Sequence, residues 1–130
     1  MTEVAKQVCK TGIRHFITGM ARGCDTIFCE AMLDLREKTG ITVEAAIPYE
    51  KQAAGWREEE RERYRHLLER CDHITYVGSE YTRNCNLRRN RYMVDNSSVL
   101  IAVYDGKTGG TKYTLEYATR RELEVVIITP

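Results

Sequence analysis

Two glycine-rich stretches contain residue types that bind anions in proteins. The first is Thr18–Asp25, with the sequence TGMARGCD, and the second is Asp105–Thr111, with the sequence DGKTGGT. Each follows a short apolar run and precedes a helix-like stretch, so its glycines leave backbone N–H groups accessible at a helix N-terminus. Because those N–H groups and the helix dipole both attract negative charge, the arrangement suits a phosphate. The sequence therefore predicts one cleft built from the two turns.

Two side chains of the first stretch could contact such a ligand directly. Arg22 could donate a charge-assisted hydrogen bond to a phosphate. Asp25 lies in the first turn of the predicted helix and could accept a hydrogen bond from a ribose hydroxyl. An ordinary strand-to-helix turn accounts for the same residues, with Asp25 complementing the helix dipole. Both interpretations stay open on the sequence.

The second stretch adds a hydroxyl and, further along the helix, a carboxylate. Thr111 could cap the helix or contact the anion. Glu116 lies a little more than one turn beyond Thr111, where a carboxylate could act as an acid or a nucleophile in a hydrolysis. The alternatives are that Glu116 is a solvated helix residue and that Asp105 and Gly106 form a plain turn.

A basic cluster, Arg88–Arg91 with the sequence RRNR, directly precedes the strand that ends in the second turn. Arg88 or Arg89 could bind a phosphate while Asn90 fixes the loop. A solvated basic helix face is the usual role of such clusters, and this interpretation also stays open.

The elements that must position these residues alternate along the chain. The predicted strands are His15–Thr18, Val43–Ile47, His73–Val77, Val99–Tyr104 and Val125–Thr129, and the predicted helices are Thr2–Thr11, Cys24–Lys38, Arg57–Arg70, Leu87–Asp95 and Lys112–Glu122. Because the strands are continuous apolar runs, the pattern predicts an α/β fold: a Rossmann-like open, mostly parallel sheet with helices on both faces. Ligands of such folds bind beyond the carboxyl ends of the strands, where both glycine turns lie.

Composition narrows the class of protein. The 130 residues are 42% hydrophobic and 30% charged, which suits one globular domain over residues 1–130, and the net charge of +1 provides no general attraction to nucleic acid or membranes. No apolar run approaches the roughly 20 residues that span a bilayer, and the N-terminus lacks the apolar centre of a signal peptide. We therefore expect a cytoplasmic protein. Five cysteines without CxxC spacing predict reduced thiols, and we expect neither a metal site nor a cofactor.

Four motifs together resemble a known family. They are GMARGCD at Gly19–Asp25, AAIPYEKQAAGW at Ala45–Trp56, RRNRYMVD at Arg88–Asp95 and YDGKTGGT at Tyr104–Thr111. Nearly the whole chain resembles the small bacterial SLOG-domain proteins of the YpsA/YspA type, a family of unknown function. The resemblance implies a Rossmann-like fold related to the DNA-processing protein A family and to the lonely-guy (LOG) phosphoribohydrolases. It also implies a pocket for a nucleotide or a nucleotide-derived ligand.

The sequence departs from these relatives in two places. The LOG enzymes carry a glutamate three residues after the motif threonine, whereas this chain has Thr114 there and Glu116 two residues further on. Proteins of this type also begin with a strand and a turn similar to FTGHRP, which this sequence lacks, so the family's N-terminal strand is expected to be absent. Because a sheet without an inner strand exposes backbone edges, the chain is expected to rearrange or to pair with another copy as a homodimer.

Three functions follow from these observations. The preferred hypothesis is binding or sensing of a nucleotide-like small molecule, because the phosphate-binding parts are visible while the catalytic carboxylate is displaced. The alternative is LOG-like N-glycoside hydrolysis of a nucleoside monophosphate, with Glu116 or Asp25 as acid or nucleophile. Single-stranded DNA handling is the third, and the net charge makes a nucleic-acid partner unlikely. The candidate ligand-binding residues are Thr18, Gly19, Met20, Ala21, Arg22, Gly23, Asp25, Arg88, Arg89, Asn90, Asp105, Gly106, Gly109, Gly110 and Thr111.

Overall fold

Strands and helices alternate in the computed structural model, which describes residues 6–8, 10–104, 106 and 109–128. The strands are β1 His15–Thr18, β2 Thr42–Ile47, β3 His73–Tyr76, β4 Val99–Val103 and β5 Glu124–Ile128. The helices are α1 Cys24–Thr39, α2 Glu58–Arg70, α3 Cys85–Asp95 and α4 Gly110–Arg120. Residues 6–8 and 10 are also helical and fall within the predicted Thr2–Thr11 helix, whose residues 2–5 and 9 lie outside the described part of the chain.

The strands form two parallel groups. In one group β2 lies between β1 and β3, and in the other β4 pairs with β5. All three pairings are parallel, as Phe16 opposite Val43 and Val99 opposite Glu124 illustrate. This confirms the predicted Rossmann-like fold with an open parallel sheet. Across the described residues no strand pairing joins β1 to β4, so the sheet is interrupted between these two edges.

The core lies between one face of the first strand group and helices α1 and α2. Val43 and Ile47 of β2 are fully buried and belong to the same apolar cluster as Met32 and Leu33 of α1. Tyr64 and Leu67 form the buried side of α2, whose remaining residues are mostly charged. The narrow apolar stripe of α2 is therefore enough to cover the core while its charged face meets solvent.

A buried carboxylate fastens α3 to the opposite face of the same strands. Glu44 of β2 is 7% exposed and accepts hydrogen bonds from His15 Nε2 (2.7 Å), Thr75 Oγ1 (2.8 Å) and the Tyr92 hydroxyl (2.5 Å). Burial acts to raise the pKa of Glu44, but the hydrogen bonds from Tyr92, His15 and Thr75 outweigh it and hold the pKa below 4.5. The network joins β1, β2 and β3 to α3, which is the element that carries the basic cluster.

Two helices begin earlier than the sequence pattern predicts. Helix α3 begins at Cys85 rather than Leu87, because the Arg88 N–H already donates to the carbonyl of Asn84. Helix α4 begins at Gly110 rather than Lys112, because the Tyr113 N–H donates to the Gly109 carbonyl. The glycine pair therefore forms the first turn of α4 rather than a separate loop before it.

Two further findings concern the chain as far as it is described. Cys24, Cys29, Cys71 and Cys85 are free thiols, and the sulfur atoms of Cys29 and Cys71 lie 3.9 Å apart. None of the helices in the described ranges combines the length and the apolar character needed to cross a bilayer.

Candidate functional site

A cavity of about 790 Å³ occupies the interruption between β1 and β4. At the carboxyl ends of these strands, residues from both glycine turns line it. Gly19, Ala21, Arg22 and Asp25 come from the first turn, and the start of α4, at Gly110–Thr111, comes from the second. The two turns thus open into one shared space.

The starts of two helices meet this space with their first amides uncapped. Helix α1 follows Gly23, at φ 91°, and helix α4 follows Gly109, at φ 147°. No side chain caps either helix start. Because L-residues rarely adopt these positive φ values, glycine is what allows the chain to enter each helix at this angle. The positive ends of both helix dipoles therefore lie beside the cavity, where an anion would be stabilised.

Asp25 closes the first turn upon itself. Its carboxylate accepts the Ala21 N–H at 3.1 Å, while the Thr18 hydroxyl donates to the main-chain carbonyl of Asp25 and accepts the Met20 N–H, both at 3.3 Å. Burial raises the pKa of the Asp25 carboxyl above its ordinary value of 3.8, opposed by the Ala21 hydrogen bond and by the charge of Arg89. The geometry thus gives Asp25 a positioning part in the turn.

Arg89 lies directly behind the first turn. It is 5% exposed, and its guanidinium donates to the Gly19 carbonyl (2.6 Å), the Asn90 side-chain oxygen (2.8 Å) and Gln52 Oε1 (3.3 Å). Burial lowers the pKa of Arg89, and the Asp25 charge opposes this shift. Because its donors already serve protein acceptors, Arg89 holds the turn in shape and offers little to a ligand.

A chain of hydrogen bonds joins the two turns through α3. Asn90 accepts from Arg89, which holds Gly19, and donates its amide N–H to Thr114 Oγ1 at 3.0 Å. The Thr114 hydroxyl in turn donates to the Gly110 carbonyl at 2.9 Å. The first turn and the start of α4 are therefore held in a fixed relation by side chains that are far apart in sequence.

Arg22 is the cation with the most freedom at the cavity. Its side chain is 54% exposed, its Nε lies 3.5 Å from a Glu60 carboxylate oxygen, and its guanidinium lies 5.4 Å from the centre of the Trp56 ring. Trp56 itself packs edge-on against Tyr64 at 5.2 Å. Exposed ion pairs and cation–π contacts are weak, so Arg22 can leave them to meet an anion at little cost.

Several predicted site residues do not line the cavity. Met20, with φ 54°, turns its side chain fully into the core, and Arg88 is exposed on another side of α3. Glu116 is exposed as well, because two helical residues beyond Thr114 correspond to a rotation of about 200°. The glycines that do not line it are Gly23, Gly106 and Gly109. Asp105 lies outside the described residues.

Two residues that the sequence did not single out belong to the site. Thr114 lines the cavity and bonds to both Asn90 and Gly110. Gln52 donates its amide N–H to the carbonyls of Gly19 (3.4 Å) and Met20 (3.3 Å), and so supports the first turn from the loop after β2. Both contacts join distant segments, and a single sequence contains no signal for them.

Replacing Gly19 with alanine should destabilise the protein by about 1–3 kcal/mol, as overpacking a filled site does. A Cβ at Gly19 would lie 2.7 Å from the Arg89 Nη1 and 2.8 Å from Cζ, so the guanidinium would have to leave its acceptors. Urea unfolding followed by circular dichroism measures the loss.

The matched control is Gly55→Ala, because a Cβ at Gly55 meets no atom within 4 Å. The Gly19 effect should also shrink when Arg89 is methionine, since the two changes remove the same contact. Equal losses for Gly19→Ala and Gly55→Ala would contradict the packing described here.

Comparison with known proteins agrees with the fold. The sequence profile of the YspA SLOG family matches residues 1–129. The chain is 29% identical over 133 residues to the uncharacterized SPbeta prophage-derived protein YoqJ of Bacillus subtilis (strain 168), covering 92% of this chain and 78% of YoqJ. UPF0398 proteins of Bacillus thuringiensis (strain Al Hakam) and Bacillus cereus (strain AH187) are each 27% identical over 115 residues, covering 85% of this chain and 62% of their own length.

Proposed function

Because this chain belongs to the YspA SLOG family, and because residues of both glycine turns line one cavity, we propose that it binds or senses a nucleotide or a nucleotide-derived ligand. The ligand lies at the carboxyl ends of β1 and β4, the usual position in open α/β sheets. The observation that carries this proposal is the meeting of two uncapped helix starts, at Cys24 and Gly110, in a single space.

The phosphate of this ligand lies against the first amides of α4. Gly110 and Thr111 line the cavity and precede the first α4 residue whose N–H bonds back within the helix, Tyr113. The start of α1 and the exposed Arg22 supply positive potential from the other side. A charge-assisted bond from Arg22 would be among the stronger contacts available to the phosphate.

Binding is favoured over hydrolysis by the acidic residues at the cavity. In the described ranges Asp25 is the one carboxylate that lines it, and it already accepts the Ala21 N–H. Glu116, the other candidate acid, is exposed on a different side of α4. A LOG-like hydrolase therefore has no acid placed for it, and base release from nucleoside monophosphates is expected to be absent.

Single-stranded DNA handling has less support still. Such proteins stack successive bases on aromatic side chains along a basic groove. The aromatic rings that line the described cavity belong to Phe16 and Phe28, which also pack on the core, and to His15, which is bonded to Glu44. Binding of a small ligand fits this lining better than binding of a strand of bases.

The test is a thermal-shift panel of nucleoside mono-, di- and triphosphates, with inorganic phosphate alongside. A ligand that binds the folded state should raise the melting temperature in proportion to its concentration above the dissociation constant. The Gly110→Asp variant should bind at least about tenfold more weakly, because a carboxylate would face the phosphate. The same change should not weaken folding, because an acidic residue suits a helix N-terminus and a Cβ at Gly110 meets no atom within 4 Å.

Gly110→Asn is the matched control, since it has the same shape without the charge and should retain binding. A panel in which no nucleotide shifts the melting temperature would contradict the proposal. So would equal affinity of the Asp and Asn variants, because the phosphate would then lie elsewhere.

A further inference from the structure

Most of the cavity between β1 and β4 lies away from the glycine turns. Every residue of His15–Thr18 and of Val99–Val103 lines it, and it continues to the other end of the strands at Gly12–Arg14 and Asn96–Ser98. We call this length of the cavity the slot. It runs along two strand edges, which is a different shape from a pocket at the strand ends.

Both walls of the slot are backbone edges. The Thr42 N–H donates to the Arg14 carbonyl, so by the alternation of parallel pairing the backbone groups of His15 and Ile17 point away from β2. The Glu124 N–H donates to the Ser98 carbonyl, so those of Val99, Ile101 and Val103 point away from β5. Within the described residues β1 has its strand partner in β2 alone, and β4 in β5 alone.

The side chains of β4 suit an inner strand although β4 borders the slot. Its sequence, VLIAV, is continuously apolar, which is typical of strands covered on both faces between parallel neighbours. All five residues are nevertheless only half-buried, whereas five of the six residues of β2 are buried. The difference is what remains to be covered when an inner position of a parallel sheet is vacant.

We infer that the slot is a binding site for one extended apolar segment of another polypeptide, which adds as a strand parallel to both β1 and β4. The occupant donates to and accepts from both edges, so main-chain hydrogen bonds supply affinity and apolar side chains supply specificity. A segment of five residues, about 17 Å long, matches the length of β4. This inference rests on the backbone edges and stands apart from the proposed nucleotide site.

A second folded copy of the chain is a poorer occupant. Each described strand of a copy is already paired and is followed or preceded by a helix through short connections. To enter the slot, such a strand would have to leave its own sheet. A segment that is extended or unpaired before binding meets no such cost.

The experiment titrates the protein into a fluorescein-labelled peptide whose central five residues are valine, isoleucine and alanine, with lysines at both ends for solubility. Saturable anisotropy is expected. Two further peptides carry N-methyl groups on alternate residues, one on the odd and one on the even positions of the central segment. Each blocks the hydrogen bonds of one peptide edge while keeping the apolar side chains, so each should bind at least about tenfold more weakly, the loss of 1.4 kcal/mol or more.

Two proline variants of the protein test the position of the peptide. Ile101→Pro removes an N–H that points into the slot and should abolish binding. Ile127→Pro removes an N–H from the outer edge of β5, by the same alternation, and should leave binding unchanged. Circular dichroism reports whether each variant folds, and the N-methyl peptides test the inference on the unaltered protein.

Four results would overturn the inference. Absence of saturable binding would show that the slot does not accept a strand. Equal affinity of the N-methylated peptides would show apolar adsorption, and weakening by one methylation pattern alone would show addition to a single edge. Self-association of the protein that the peptide does not reverse would identify a second copy as the occupant.

Discussion

Replacing Arg89 with methionine should lower the free energy of unfolding by about 3 kcal/mol or more, the typical cost of removing one partner from a buried charged cluster. The Gly19 carbonyl and the Asn90 side-chain oxygen would lose their donors, which lie at 2.6 and 2.8 Å. Asp25 would lose the nearby positive charge that opposes its protonation. Methionine fills much of the same space, so the loss reports the hydrogen bonds and the charge. Urea unfolding measures it directly.

Arg88→Met is the control for this experiment. Arg88 is the neighbouring arginine in the same helix but is exposed, so its replacement should change stability by less than about 0.5 kcal/mol. If Arg88→Met and Arg89→Met had similar effects, Arg89 would not be the buried support of the first turn. The comparison separates a bracing arginine from one that only contributes surface charge.

Lowering the pH should remove a second large contribution, that of Glu44. Its pKa is held below 4.5 in the folded protein, so its contribution is fully present above the pKa of the unfolded chain. As the pH falls through the lowered pKa, the folded state must take up a proton and lose the stabilisation of its carboxylate. Urea unfolding across a pH series should show stability decreasing in the acid range below pH 4.5.

Glu44→Gln should reduce this pH dependence and should also cost about 1–3 kcal/mol near neutral pH. The amide presents N–H groups where the Tyr92, Thr75 and His15 donors need an acceptor. Glu37→Gln, an exposed change on α1, is the control and should leave stability nearly unchanged. An acid dependence that persists unaltered in Glu44→Gln would assign it to other carboxylates.

The elements of the fold followed closely from the sequence because apolar runs and glycines mark them directly. The runs at His15–Thr18 and Val99–Val103 became strands, and the apolar periodicity of Cys24–Lys38 became α1 with one more residue. The helix starts at Cys85 and Gly110 were placed two residues late, because the first turn of a helix is set by backbone bonds to residues before it.

The site was harder to predict because its connections cross the chain. Thr114 and Gln52 act through contacts with residues 24 to 33 positions away. Met20 was expected at the ligand, but its positive φ directs the side chain into the core. Glu44 is the charged residue within an otherwise apolar strand run, and its importance became clear only from the three donors around it.

The interruption between β1 and β4 has a consequence for how the molecule opens. The pair β4–β5 contains no fully buried strand residue, whereas β2 is almost completely buried. Regions with little buried apolar surface open locally at a smaller free energy than the rest of a protein. The half of the molecule formed by β4, α4 and β5 is therefore the less stable cooperative unit, and amide protons there exchange through partial unfolding that leaves the other three strands intact.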